Sequence, residues 1–119
     1  PVAAVAAAAT ALEIVKQEPE RRGVLLKRGD ALRATLRNMG LNTGSSESHI
    51  VPIFIGSTDR AMDLSRQLLE AGFFVPAIRP PSVPDGECLL RVSLSYGHDP
   101  ETIKALSETL SQLSVKAAI

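Results

Sequence analysis

The sequence has 119 residues, with 13 Lys and Arg against 13 Asp and Glu, so its formal net charge is zero. This length and the 45% of hydrophobic residues suit one small domain with a modest core. Zero net charge argues against a nucleic-acid-binding module, and the longest apolar run, Val2 to Ala9, is too short to span a membrane. The single cysteine excludes an internal disulfide, so we expect a reducing, cytoplasmic location.

The first 40 residues are predicted to form two helices. Residues 1–18 are rich in alanine, and Val2, Val5 and Leu12 recur along one stripe. Pro19 breaks this helix, and a second one is expected from residue 20 until Gly40 ends it. Its basic residues recur at helical spacing among acids, which favours a solvated helix face over a nucleic-acid patch.

The remainder is predicted to form three strands and two helices in the order β-α-β-β-α. The expected segments are a strand over His49–Ile55, a helix capped by Thr58, strands over Phe73–Ile78 and Cys88–Ser95, and a helix capped by Asp99. The third strand is expected to lie antiparallel between the first two, with helices on one face. The prediction is therefore an α+β fold, with a small sheet of about three strands preceded by two helices. We divide it into a helical segment at 1–40 and a small α+β domain at 41–119.

Few residues could carry chemistry by themselves. The glycines do not form a phosphate-binding loop, and one cysteine with two separated histidines makes no credible metal site. Cys88 and His98 could be imagined as a nucleophilic pair, but Cys88 alternates onto the predicted core face, which favours a buried thiol. His98 itself is expected to be a loop residue that packs the start of the last helix. We therefore expect no catalytic residue and no metal ligand in this chain.

Two arginines are candidate binding residues. Arg91 lies in the middle of an apolar strand, where its planar guanidinium suits a carboxylate, with Ser93 as a further donor. The alternatives are an ion pair with a neighbouring acid, or plain exposure on an open sheet face that we expect to be polar. Arg79 precedes Pro80, which holds its backbone extended at the start of a rigid loop.

The segment from Gly72 to Ser95 closely resembles the C-terminal domain of the α-oxoamine synthases. These are acyl-CoA transferases of the class II aminotransferase superfamily that depend on pyridoxal 5'-phosphate (PLP) and have fold type I. The resemblance extends over essentially the whole chain. The run Ala77-Ile-Arg-Pro-Pro-Ser-Val-Pro84 is similar to the members that condense L-alanine with a pimeloyl thioester for biotin synthesis. Glycine acetyltransferase and serine palmitoyltransferase relatives stay as alternatives.

The resemblance implies roles for three residues. Arg91 matches the arginine that binds the carboxylate of the amino-acid substrate, and Arg79 and Ser82 match the loop at the acyl-CoA entrance. The chain departs from the family at Leu89, where a second arginine is usual. The parent enzyme is expected to be a homodimer that acts on small molecules, with no nucleic-acid or membrane partner.

The resemblance also places the cofactor lysine in a large domain that would precede Pro1. The chain begins without an initiator methionine, so we expect it to have been cleaved or cut from something longer. We expect this chain alone to bind no PLP and to be inactive. Two other interpretations stay open: a free-standing amino-acid-binding module, and an interaction domain that associates through the stripe from Val2 to Val15.

Overall fold

The computed structural model describes residues 1–117, with side chains through Leu113. Its elements, in chain order, are α1 (Val2–Gln17), α2 (Glu20–Asn38), β1 (Ile50–Gly56), α3 (Thr58–Glu70), β2 (Ala77–Ile78), β3 (Cys88–Ser93) and α4 (Pro100–Ala117). The strands form one antiparallel sheet in the order β1-β3-β2. The predicted α+β fold, with the last strand in the centre of the sheet, is confirmed.

One hydrophobic core lies between the sheet and the helices α2, α3 and α4. Alternate residues of β3 point into it, so Cys88, Leu90 and Val92 are buried while Arg91 and Ser93 are exposed. The helices contribute leucines at helical spacing, for example Leu64 and Leu68 of α3. The opposite face of the sheet carries no helix of this core.

The two helices before strands end in the same way. At the end of α2, Gly40 has a φ of 83°, and the N–H of Leu41 donates to the carbonyl of Leu36 at 3.0 Å. Gly72 has a φ of 96° after α3 and makes the equivalent turn. Glycine tolerates this left-handed conformation without a Cβ clash, which is why the chain can reverse abruptly here.

The second strand is shorter than the predicted Phe73–Ile78. Pro76 has no N–H to donate to β3, although its carbonyl accepts from the N–H of Arg91 at 3.0 Å. The strand is therefore limited to Ala77 and Ile78, and the backbone of residues 72–75 makes no hydrogen bond to β3. The third strand ends at Ser93 and not at Ser95, because the N–H of Ser95 donates to the imidazole of His98.

The predicted cap of α3 is wrong by one residue. Ser57 is in an extended conformation, and its hydroxyl accepts the N–H of Arg60 at 3.4 Å, as an N-cap requires. Thr58 is already helical, and its hydroxyl lies 3.2 Å from the Cys88 sulfur. The prediction that Cys88 is a buried thiol is confirmed.

The interpretation of the basic residues of α2 as a solvated face is wrong for Arg33. Its residue exposure is 3%, and its guanidinium donates to the Ser48 carbonyl at 2.6 Å and forms an ion pair with Asp30. Arg37 donates to the hydroxyl of Thr43 at 2.8 Å. These arginines hold the segment between α2 and β1 against the helix.

The helix α1 stands apart from the core. None of its residues is buried, and within residues 1–117 it packs against no other helix or strand. A hydrogen bond from the Arg22 guanidinium to the Val15 carbonyl, at 2.6 Å, links it to α2. In the same part of the chain, no helix is long and apolar enough to cross a membrane. The division at residue 40 stays a prediction, and α2 contributes Leu32 and Leu36 to the core of the second unit.

Candidate binding site

The face of the sheet that carries no helix is more apolar than its sequence pattern predicts. Its central residue is Arg91, which lies opposite Pro52 of β1. Around it, Ile50 and Phe54 of β1 are 38% and 39% exposed, and Leu89 of β3 is half-buried. The face is therefore less polar than expected, because Arg91 and Ser93 share it with apolar side chains.

Arg91 has no partner within the described part of the chain. Its side chain is exposed, and its guanidinium makes no hydrogen bond or ion pair with the described groups of residues 1–113. The alternative of an ion pair with a local acid thus does not hold among these residues. An unpaired guanidinium on a strand can bind a carboxylate by donating two parallel hydrogen bonds to it.

Arg79 and Ser82 lie at one end of the sheet, in a tight turn that leaves β2. The N–H of Ser82 donates to the carbonyl of Arg79 at 3.0 Å, and both residues are exposed. Because Ile78 pairs with Leu89, the turn lies where β3 begins, whereas Arg91 lies in the middle of that strand. Arg79 and Ser82 therefore lie close together at the start of β3, and Arg91 lies further along that strand.

A groove of about 470 Å³ opens beside Arg91, where residues 72–75 are not hydrogen-bonded to β3. We call it the β3–α4 groove, because its remaining wall is the first half of α4. Its lining includes Phe73, Phe74, Arg91, Ser93, His98 and Leu106. The pattern of the sequence did not predict this groove, although Pro76 was the signal that β2 would stop short.

The loop that follows β3 is held in place by α2. The Arg28 guanidinium donates to the carbonyls of Tyr96 and His98, both at 2.9 Å. The guanidinium carbons of Arg21 and Arg28 lie 4.8 and 5.4 Å from the Tyr96 ring centroid, close enough for cation–π attraction. This clamp was not predicted, since the partners are some seventy residues apart in the sequence.

His98 and Asp99 complete that loop. The imidazole Nδ1 of His98 accepts the N–H of Ser95 at 2.9 Å, so the neutral ring carries its proton on Nε2. Asp99 caps α4 as predicted, since its carboxylate accepts the N–H of Thr102 at 2.8 Å. Hydrogen bonds from the Thr102 N–H and hydroxyl lower the pKa of Asp99 below its ordinary value, with a smaller contribution from the nearby Arg28 charge.

Within residues 1–117, no group of three or more His, Cys, Asp and Glu side chains could hold a metal ion. The arrangement instead offers hydrogen-bond donors and one positive charge beside apolar walls. Such an arrangement suits an anionic organic molecule.

Comparison with known proteins identifies the family of this chain. Residues 1–110 match the aminotransferase class I and II family. The chain is 44% identical over 117 residues to the 8-amino-7-oxononanoate synthase of Methylobacterium radiotolerans. This match covers 98% of this chain and 30% of that protein. The resemblance predicted from the residues is confirmed.

Solved structures agree with this assignment. Serine palmitoyltransferase from Sphingomonas wittichii superposes with a TM-score of 0.88 at 30% identity, over 96% of this chain and 29% of that one. A structure described as SPT with PLP superposes with a TM-score of 0.83 at 28% identity, over 92% of this chain and 28% of the other. The chain therefore spans about 30% of the length of the relatives that it matches.

Proposed function

The chain belongs to the aminotransferase class I and II family, and we propose that it is the substrate-facing C-terminal part of a PLP-dependent α-oxoamine synthase. The proposed reaction is that of an 8-amino-7-oxononanoate synthase, a decarboxylative condensation of L-alanine with a pimeloyl thioester in biotin biosynthesis. The name of the relative from Methylobacterium radiotolerans and the run from Ala77 to Pro84 support this choice. The proposal includes a cytoplasmic, homodimeric parent enzyme, in which residues 1–40 continue from a larger domain.

The observation that carries the proposal is the unpaired Arg91 guanidinium at the centre of the open sheet face. Its rigid fork would bind the carboxylate of the amino acid and fix the orientation of the substrate. The turn with Arg79 and Ser82, at the start of β3, would line the path of the acyl-CoA. Arg91 would therefore position the substrate and would not transfer a proton.

Among residues 1–113, whose side chains the structure describes, no lysine by itself fits a covalent PLP site. Lys16 and Lys104 lie on helices with side chains that are 74% and 78% exposed, and Lys27 is likewise exposed. A lysine that reacts with an aldehyde cofactor at neutral pH needs desolvation or a nearby cation to lower its pKa. PLP would be held by the rest of the parent enzyme, and this part would present the substrate to it.

The first test uses the enzyme encoded by the complete reading frame. Replacing Arg91 by Gln removes charge-assisted hydrogen bonds of about 1.5–3 kcal/mol, so kcat/KM for L-alanine should fall roughly 10- to 150-fold. Lys at the same position should restore only part of the loss, because an ammonium lacks the planar fork. Arg79→Gln is the matched control and should raise the KM of the acyl-CoA while leaving that of L-alanine unchanged. An unchanged kcat/KM for L-alanine in the Arg91 variant would contradict the assignment.

A free-standing amino-acid-binding module is the second candidate, because the Arg91 guanidinium is already exposed and unpaired in this chain. Titration of the chain with L-alanine, followed by amide chemical shifts near Arg91, separates the two. Saturable micromolar binding that is lost in Arg91→Gln would favour the module. An absence of binding to this chain, with activity in the complete enzyme, would favour the synthase.

A further inference from the structure

We propose that Asp85 rearranges spontaneously to isoaspartate through a ring formed with the backbone nitrogen of Gly86, and that the product breaks the turn that leads into β3. Both residues precede β3 and lie outside the β3–α4 groove. The reaction uses no substrate of the proposed enzyme, so it goes beyond the proposed function and does not depend on it.

Water is the only co-reactant of this rearrangement. The Gly86 nitrogen attacks the side-chain carboxyl carbon of Asp85. Water leaves with the proton of that nitrogen and the hydroxyl group of the carboxyl, which closes a succinimide ring. A second water molecule then opens the ring at one of its carbonyl carbons. Opening at the main-chain carbonyl gives isoaspartate, whose peptide link runs through the side-chain carbon, whereas opening at the other carbonyl restores aspartate.

The sequence suits one aspartate to this reaction. Of the five aspartates, only Asp85 is followed by glycine. Glycine has no Cβ to obstruct the ring, and its backbone rotates more freely than that of any other residue. Asp99 is followed by Pro100, whose nitrogen carries no proton to lose.

The fold leaves both reacting groups of this turn free. The N–H of Glu87 donates to the carbonyl of Pro84 at 3.1 Å, and Gly86 has a φ of 80°, as in a type II β-turn centred on Asp85 and Gly86. Both central residues are exposed. Among the described groups of residues 1–113, the Asp85 carboxylate has no hydrogen-bond or ion-pair partner, and the N–H of Gly86 has no acceptor. The nitrogen and the carboxyl group can therefore meet without either of them giving up a hydrogen bond.

The helical aspartates are held by the fold. Asp30, Asp59 and Asp63 lie within α2 and α3, where the hydrogen-bonded backbone fixes the nitrogen of the following residue. The Asp63 carboxylate also accepts from the Gln67 amide at 2.7 Å. Ring formation at these three positions requires local unfolding first, which slows it.

The product should alter the turn before β3. Isoaspartate adds one carbon to the main chain, so the Pro84 carbonyl and the Glu87 N–H cannot keep their spacing. The carbonyl oxygen of Gly86 also packs against the backbone of Gly56 in β1, where an added Cβ would lie 3.4 Å from it. Loss of the Pro84–Glu87 hydrogen bond should speed hydrogen exchange of the Glu87 amide roughly 2- to 10-fold in the isoaspartate form.

The test follows the oxygen atom that enters when the ring opens. The chain is incubated at neutral pH in water enriched in heavy oxygen, transferred to ordinary water and digested with trypsin, and the label is located by mass spectrometry. Trypsin cleaves after Lys and Arg but not before proline, so each aspartate lies on a different peptide, and Asp85 lies on residues 67–91. The label in this peptide should exceed that in each of the other aspartate peptides at least about tenfold, because the helical aspartates must first unfold locally. Methylation of the same peptide by protein isoaspartate methyltransferase identifies the product.

Two substitutions show whether the label arises at Asp85. Asp85→Glu should abolish both the label in residues 67–91 and the methylation, because glutamate would have to close a larger ring that forms more slowly. Asp59→Glu is the matched control, since Asp59 is also exposed but lies in α3, and it should leave both signals unchanged.

An absence of label from residues 67–91 in the folded chain would overturn the proposal, and so would equal labelling of that peptide in Asp85→Glu. Label that enters the peptide only in urea would also overturn it, since the folded turn would then prevent the reaction. An unchanged exchange rate of the Glu87 amide in the purified isoaspartate form would contradict the predicted loss of the turn.

Discussion

The arginines of this chain differ in what their guanidinium groups reach. Arg33 is 3% exposed, and its hydrogen bond to the Ser48 carbonyl ties α2 to the segment that leads into β1. Arg91 is exposed on the open face of the sheet and has no partner among residues 1–113. The Arg33 guanidinium stabilises the fold, and the Arg91 guanidinium is available to a ligand.

Replacing Arg33 tests the structural role. Met keeps most of the apolar stem but removes the donor to Ser48, so the free energy of unfolding should fall by about 1–3 kcal/mol. Urea denaturation of the chain measures this change. Lys27→Met is the matched control on the same helix, and its exposed side chain should change the value by less than about 0.5 kcal/mol. Equal effects of the two substitutions would mean that the Ser48 contact adds no stability.

At the scale of the elements, periodicity and end signals predicted most of the fold. The alternation of β3 placed Cys88, Leu90 and Val92 in the core, and the antiparallel position of that strand between the others followed from the β-α-β-β-α order. The end of α2 followed from Gly40, because a left-handed turn there needs no Cβ.

The larger errors arose where the partner of a residue lies far away in the sequence. The length of β2 depends on the hydrogen-bonding register with β3, in which Pro76 cannot donate. The outer residues of β3 alone indicate a polar face. The adjacent strand β1 adds Ile50 and Phe54 to that face beside Arg91, and the sequence of β3 does not show them. The clamp of Arg28 on the loop at His98 joins residues 70 positions apart and has no local signal.

The stability of the chain should depend on pH through Asp99, the residue that caps α4. Asp99 accepts the N–H and hydroxyl of Thr102, and these hydrogen bonds lower its pKa in the folded chain below the ordinary 3.8. A lowered folded-state pKa means that the carboxylate stabilises the chain above the unfolded-state value. That contribution is lost as the pH falls from 3.8 through the folded-state pKa.

Asp99→Asn provides the comparison, because asparagine can cap the helix but does not titrate. The difference in unfolding free energy between the chain and this variant should be constant at neutral pH and should shift against the chain as the pH falls below 3.8. Urea denaturation at about pH 6 and about pH 3 measures it. A difference that is the same at both values would show that the carboxylate has the same pKa in the folded and unfolded chains.

At the scale of the whole molecule, the hydrophobic core includes every helix except α1. The core joins α2, α3, α4 and the sheet, whereas α1 buries no residue, and the molecule extends 50 Å along its longest axis. On α1, Val2 and Val5 are 89% and 68% exposed. The predicted helical stripe is present, but within residues 1–117 it contributes nothing to the core.

Removal of residues 1–17 therefore tests whether α1 takes part in the folding of this chain. A helix of 16 residues with no packed face is marginal in water, so the deletion should change the free energy of unfolding by less than about 0.5 kcal/mol. Leu36→Ala in α2 is the contrasting variant, since Leu36 is 0% exposed and its truncation should cost about 2–5 kcal/mol. Both values come from urea denaturation at two protein concentrations.

A loss on deletion as large as that of Leu36→Ala would contradict the separation of α1 from the core. If that loss appeared only at the higher concentration, the exposed stripe would pair with a second copy of the chain, because only association makes stability depend on concentration.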